Sequence, residues 1–141
     1  MEPMHELITR RRVEFSDTDL AGVVHFSRYF VFMETAEDEF LHAVGSGFTF
    51  THEGRSGGWP KVAVSCDYFK PLRYGDEVEI HVRVLKMTRS TITYGLSMRR
   101  GGVDIARGQT TSVCCVQDAD GRLAPIPIPE ALARRITAAP R

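Results

Sequence analysis

The sequence predicts an α+β fold, with one long buried helix set against a curved antiparallel sheet of about five strands. Three observations carry that expectation. Between about residues 24 and 44, apolar side chains recur at three- and four-residue spacing, the period of a helix. From Val62 onward the period switches to two, the mark of a strand with one face buried. Glycines and prolines punctuate those alternating runs, as antiparallel connections require.

Taken in order, the first strand is expected over roughly residues 7–15, its apolar character clearest at Val13 and Phe15. Ser16-Asp17-Thr18-Asp19 then supplies turn and helix-capping chemistry, because short side-chain oxygens accept from free backbone N–H groups. In the helix, Phe26, Tyr29, Phe30, Met33, Ala36, Phe40, Leu41 and Val44 keep the period. With Val31 and Phe32 added, its first half is apolar nearly all round and is expected to be buried on most faces. The second half turns amphipathic, with Glu37, Asp38, Glu39 and His42 on the wet side, and Gly45 and Gly47 end it.

Residues 49–60 read as loop, broken by Gly54, Gly57, Gly58 and Pro60. Val62, Val64, Cys66 and Tyr68 alternate as a strand that Pro71 closes, and Tyr74-Gly75-Asp76 is a turn. Val78, Ile80, Val82 and Val84 alternate against Glu77, Glu79, His81 and Arg83. Ile92, Tyr94, Leu96 and Met98 form the next strand, and Gly101-Gly102 signals a hairpin into a long strand over about residues 103–116. Asp120-Gly121 turns the chain, and Pro127 and Pro129 introduce a short terminal helix with Leu132 and Ile136 on one face.

The 141 residues suit a single domain over 1–141, long enough to bury a core without disulfides or metals. Lysine plus arginine and aspartate plus glutamate both number 18, so the formal net charge is zero. Nucleic acid is therefore not an expected partner, since duplex binding asks for a basic excess. Zero net charge also leaves no repulsion against self-association. Cys66, Cys114 and Cys115 form no C-x-x-C pair, and adjacent cysteines do not readily bridge. Reduced thiols and a cytoplasmic location are the expectation. The first six residues lack a basic stretch followed by an apolar one, so no secretory signal is expected. No apolar run approaches the roughly 20 residues of a membrane span. His5, His42, His52 and His81 show no metal-ligand spacing, and no metal is expected.

The segment around Asp19 carries the chemistry. The first N–H groups of a helix have no intrahelical acceptor and point outward with partial positive charge. Such a terminus can hold an oxyanion, for instance a thioester carbonyl as charge builds on it. A carboxylate just before it can attack that carbonyl or activate water to do so. Asp19 stands in that position, and Gly22, without a Cβ, lets a substrate approach the backbone. The amides of about Val24 to Phe26 are the candidate donors, His25 is a candidate partner, and Asp17 reads as a structural cap.

Val13-Glu14-Phe15-Ser16-Asp17-Thr18-Asp19-Leu20-Ala21-Gly22-Val23-Val24-His25-Phe26, continuing to Phe30, resembles the signature of the 4-hydroxybenzoyl-CoA thioesterase family of hotdog proteins. The resemblance implies a hotdog fold and hydrolysis of an acyl-CoA thioester to free acid and coenzyme A. It implies Asp19 as nucleophile or general base, and the Phe26 N–H as the group that polarises the carbonyl. Some members carry a helper histidine seven residues after the acid. That position is Phe26 here, and His25 lies one residue earlier. No separate cofactor is implied, coenzyme A being part of the substrate.

The resemblance further implies a homodimer or homotetramer with active sites between subunits. The helix start of one subunit then faces the 56–61 loop of another, where Trp59 and Pro60 lie. Trp59 would line the acyl pocket or serve as a core or interface aromatic. In the link at residues 86–91, Lys86, Arg89 and Ser90 would meet the nucleotide phosphates, whereas Arg10-Arg11-Arg12 reads as an exposed strand face. Phe26, Tyr29, Phe30, Phe48, Phe50 and Trp59 would line an aromatic pocket or form ordinary core. Alternatives to an acyl-CoA hydrolase are a hotdog protein that binds or assembles without catalysis, and a thioesterase acting on acyl carrier protein.

Overall fold

A computed structural model describes residues 2–140; Met1 and Arg141, the ends of the expected domain, lie outside the described residues. Among the described residues nine strands and two α-helices follow one another. Strand β1 is Glu6–Arg12, β2 Phe50–His52, β3 Arg55–Gly58, β4 Lys61–Tyr68 and β5 Glu77–Met87. Strand β6 is Thr91–Arg100, β7 Val103–Val113, β8 Cys115–Gln117 and β9 Leu123–Pro125. Helix α1 spans Arg28–Ala43 and α2 Glu130–Ala133.

The main sheet has the order β1-β5-β6-β7-β4, antiparallel throughout. Its inner face is the expected period-two set: Val78, Ile80, Val82 and Val84 of β5 and Ile92, Tyr94, Leu96 and Met98 of β6 are all buried. Against them α1 lays Phe32, Met33, Ala36, Phe40 and Leu41. Each such apolar side chain removed from water stabilises the fold by about 1.5–3 kcal/mol. Gly108 of β7 lets the helix approach, since a Cβ there would collide with the Met33 thioether. Gly101 and Gly102, both left-handed, close the β6–β7 hairpin as a two-residue turn.

The expectation of about five strands covers the main sheet only. A second sheet, β2-β3-β8-β9, was missed. Residues 49–60 are not a loop but contain the β2–β3 hairpin, whose Glu53-Gly54 turn takes positive φ at both positions. The long strand expected over 103–116 breaks at Cys114, where the chain leaves the main sheet and enters the small one.

Four further expectations are corrected. The first strand ends at Arg12, and Phe15 stands 79% exposed in a single 3-10 turn, Phe15–Asp17. Helix α1 starts at Arg28 rather than near Val24, because Val23 and Val24 pair as extended backbone with Arg73 and Thr18. Glu37 is fully buried, not on the wet side. Its carboxylate accepts from Lys61 Nζ at 2.6 Å and from the Thr110 hydroxyl, which makes burial of the charge tolerable. Burial pushes the Glu37 carboxyl up, and the Lys61 cation works against that rise. Arg11 likewise leaves the exposed face: it stacks over the Phe32 ring at 4.5 Å and reaches Asp17.

Strand β4 is an edge that α1 meets at its two ends, through Glu37–Lys61 and Tyr29–Tyr68, while its middle stays open. Val62 is 63% and Val64 51% exposed, although their alternation marks them as inward-facing residues. Among the described residues no helix is long and apolar enough to cross a membrane, and all three cysteines are free thiols.

Candidate active site

Asp19 opens a three-residue hairpin loop, Leu20-Ala21-Gly22, between Thr18 and Val24. The Asp19 N–H donates to the Val23 carbonyl at 2.9 Å, and the Gly22 N–H donates to the Asp19 carbonyl at 3.0 Å. Gly22 has φ of +79°, the left-handed position that closes such a loop. The Asp19 carboxylate accepts from the Ala21 N–H through Oδ1 at 2.9 Å, and Oδ2 has no partner among the described residues. This exposed loop is thus held by its backbone, and one carboxylate oxygen is available.

Two residues away, Asp17 is fully buried. Its Oδ2 accepts from the Glu14 N–H at 2.8 Å, and its Oδ1 takes Arg28 Nε at 2.9 Å and Arg11 Nη2 at 3.4 Å. Burial raises the Asp17 carboxyl, but the Glu14 N–H and the Arg28 and Arg11 cations outweigh it and hold the group below the usual carboxylate range. Asp17 therefore ties the 3-10 turn to the first residue of α1, the structural role its sequence position suggested.

The candidate donors are not equivalent. The Val24 N–H donates to the Leu72 carbonyl at 2.8 Å and the His25 N–H to the Asp17 carbonyl at 2.9 Å, so both are engaged. The Phe26 N–H has no acceptor among the described residues. The Phe26 carbonyl accepts from Tyr68 Oη at 2.8 Å, which anchors this strand-to-helix junction on β4. Burial, then the neighbouring Cys66, pushes the Tyr68 hydroxyl up to about 12, so it remains a donor. His25 is exposed, its Nδ1 is 2.7 Å from Ser27 Oγ and its ring lies against Phe26 at 4.6 Å. No hydrogen bond joins His25 to Asp19 among the described residues.

Two hollows flank this junction. One, about 560 Å³, is lined by Phe15, Thr18, Asp19, Leu20, Gly22 and Tyr74. The other, about 300 Å³, is lined by Val24, Phe26, Tyr29, Tyr68, Phe69, Lys70 and Pro71. Phe15, Leu20 and Tyr74 were absent from the expected site. Leu20 and Tyr74 carry a signal in the sequence, being large apolar residues in turn segments, whereas Phe15 continues the period of the first strand and is exposed only because that strand ends at Arg12.

The remaining predicted residues gather elsewhere. Trp59 packs in the core against Phe50 at 6.2 Å, and its indole N–H is buried without a partner. Pro60, Arg89 and Ser90 meet the β7 end and the chain beyond it: their carbonyls accept from Val113 at 2.9 Å, Ile128 at 2.8 Å and Cys114 at 2.7 Å. Lys86 lies near the same end of β5. Leu72 and Arg73, which hold the Asp19 loop, precede the opposite end of β5. An 11-residue strand separates the two ends by roughly 35 Å. The aromatic set divides too: Phe26 is exposed beside Asp19's loop, Tyr29 is buried, and Phe48, Phe50 and Trp59 belong to the far end. Among the described residues no three His, Cys, Asp or Glu side chains converge as a metal site.

One main helix lying on an antiparallel sheet is the hotdog arrangement. Residues 13–136 match the thioesterase-like superfamily, and the chain belongs to it. An Aquifex aeolicus protein named as an esterase is 35% identical over 122 residues, spanning 85% of this chain and 91% of that protein. The 1,4-dihydroxy-2-naphthoyl-CoA hydrolase of Thermosynechococcus vestitus is 30% identical over 135 residues, 93% of this chain and 88% of its own. The structure of a gentisyl-coenzyme A thioesterase superposes with a TM-score of 0.77 at 25% identity, covering 90% of this chain and 99% of that one.

Proposed function

We propose that this protein hydrolyses acyl-CoA thioesters, with Asp19 as the reacting carboxylate. The observation that carries the reading is the Asp19 side chain itself: exposed, on a loop leading directly to the Phe26 N–H, with one of its oxygens and that N–H both without a partner among the described residues. The thioester carbonyl accepts from that N–H, which stabilises the oxyanion as the tetrahedral intermediate forms. Asp19 either bonds to the carbonyl carbon or takes a proton from the water that does. The C–S bond breaks and coenzyme A leaves as thiolate, to be protonated by solvent. In the first route water then hydrolyses the mixed anhydride formed with Asp19, which frees the acid and restores the carboxylate; in the second, water itself supplies the new oxygen of the acid. Names of relatives that act on CoA thioesters support this reading. The narrower affiliation with the 4-hydroxybenzoyl-CoA thioesterases rests on the 13–30 signature, and a cytoplasmic location belongs to the same reading, supported by three free thiols.

The reading includes assembly. A second copy pairing antiparallel along the open β4 edge covers Val62 and Val64. Because Tyr68 stands at the Asp19 end of β4 and Lys61 at the other, antiparallel pairing brings the partner's far end toward this Asp19. The residues that lie apart in one protomer then meet across two. Thiol release from a panel of acyl-CoAs tests the activity. A single turnover in ¹⁸O-water bears on the route: label entering Asp19 marks direct attack, and an anhydride trapped with hydroxylamine marks it independently.

A further inference from the structure

We infer that Phe15, Leu20 and Tyr74 form the subsite for the acyl group and select an apolar, ring-sized one; this rests on the hydrolase reading above. Three large apolar side chains stand exposed beside one carboxylate. Phe15 is 79% and Tyr74 61% exposed, and Leu20 projects fully into solvent from the tip of the Asp19 loop. Nothing in the packing of the chain demands this: none of the three belongs to the core. Phe15 and Tyr74 meet edge to face, with ring centroids 6.3 Å apart and planes at 78°. Such a pair offers a π face and an edge to a third ring, the arrangement aromatic groups prefer.

The chemistry of the walls chooses the occupant. The pantetheine arm carries two amides, which lose free energy when buried without hydrogen-bond partners. Around this hollow, Thr18 Oγ1 already donates to the Phe15 carbonyl at 2.7 Å. Among the described residues Asp19 is the one charged side chain in the lining, and it repels phosphate. The second hollow has Lys70 at its rim and is the one suited to the coenzyme side. With Asp19 lining the first hollow and Phe26 the second, the thioester carbonyl lies between them and the acyl group extends over Phe15, Leu20 and Tyr74. Gly22, with open space around its missing Cβ, keeps the floor of the first hollow clear.

The test is selectivity. In Phe15→Ala and Tyr74→Ala, and separately in Leu20→Ser, kcat/KM is measured for benzoyl-CoA and for acetyl-CoA. Because all three side chains are exposed, the variants fold. The benzoyl-to-acetyl ratio is expected to fall about tenfold in each, the scale of discrimination by a small apolar contact. An equal fall for both substrates places the coenzyme in this hollow and overturns the proposal, as does no change in either. A second readout does not depend on turnover. The wild-type protein is titrated with the thioether S-benzyl-coenzyme A and with S-methyl-coenzyme A while the side-chain NMR resonances of Phe15, Leu20 and Tyr74 are followed. Shifts with the benzyl compound alone support the subsite even if no thioester is hydrolysed. Hydrolysis without such shifts removes the subsite and leaves the hydrolase reading standing.

Discussion

Asp17 and Asp19 lie two residues apart and carry the same carboxylate in opposite surroundings. Asp17 is sealed in, with the Glu14 N–H on one oxygen and the Arg28 and Arg11 guanidiniums on the other. Asp19 is exposed and gives one oxygen to the Ala21 N–H. A carboxylate whose lone pairs are all engaged positions backbone; a carboxylate with an oxygen left over can react. The buried one is what allows the exposed one to be held: Asp17 joins the turn before Asp19 to the helix after it, and its own carbonyl takes the His25 N–H.

The contrast can be broken first at its buried side. Asp17→Ala leaves two guanidiniums and the Glu14 N–H without their acceptor, and is expected to lower stability by about 3 kcal/mol. Chemical denaturation of wild type and variant measures it. The same group sets a pH dependence. Its folded-state value lies below the unfolded one of about 3.9, so its contribution is fully present above that value and is lost as pH falls through the depressed one. Wild-type stability should therefore drop below about pH 4, and more steeply than that of Asp17→Asn.

The smallest effect belongs to the exposed side. Gly22→Ala meets no neighbouring atom, so only its left-handed backbone opposes the change. A loss of about 1 kcal/mol is expected, read as a small downward shift in Tm. If Gly22→Ala costs as much as Asp17→Ala, the loop is not held mainly through Asp17.

How far the chain could be read in advance follows the same division between local and distant contacts. The alternation in β5 and β6 and the apolar stripe of α1 were legible because burial imposes a period on neighbouring residues. The Asp19 loop was legible because Asp, Gly and the helix start are local. Glu37 was misread as wet because its partners, Lys61 and Thr110, lie 24 and 73 residues away. The β2–β3 hairpin was hidden by the glycines that make it, since turn-forming residues dominate so short a pairing. The helix start was placed too early because Val23 and Val24 are apolar for another reason, pairing with Arg73 and Thr18. The division of the candidate residues between two ends of the sheet has no signature in residue order at all.

The claim that Asp19 reacts while Asp17 supports it is tested most directly by Asp19→Asn, assayed for thiol release alongside its thermal unfolding. A fall in kcat of at least about a hundredfold is expected, with Tm unchanged. Wild-type turnover in Asp19→Asn would contradict it.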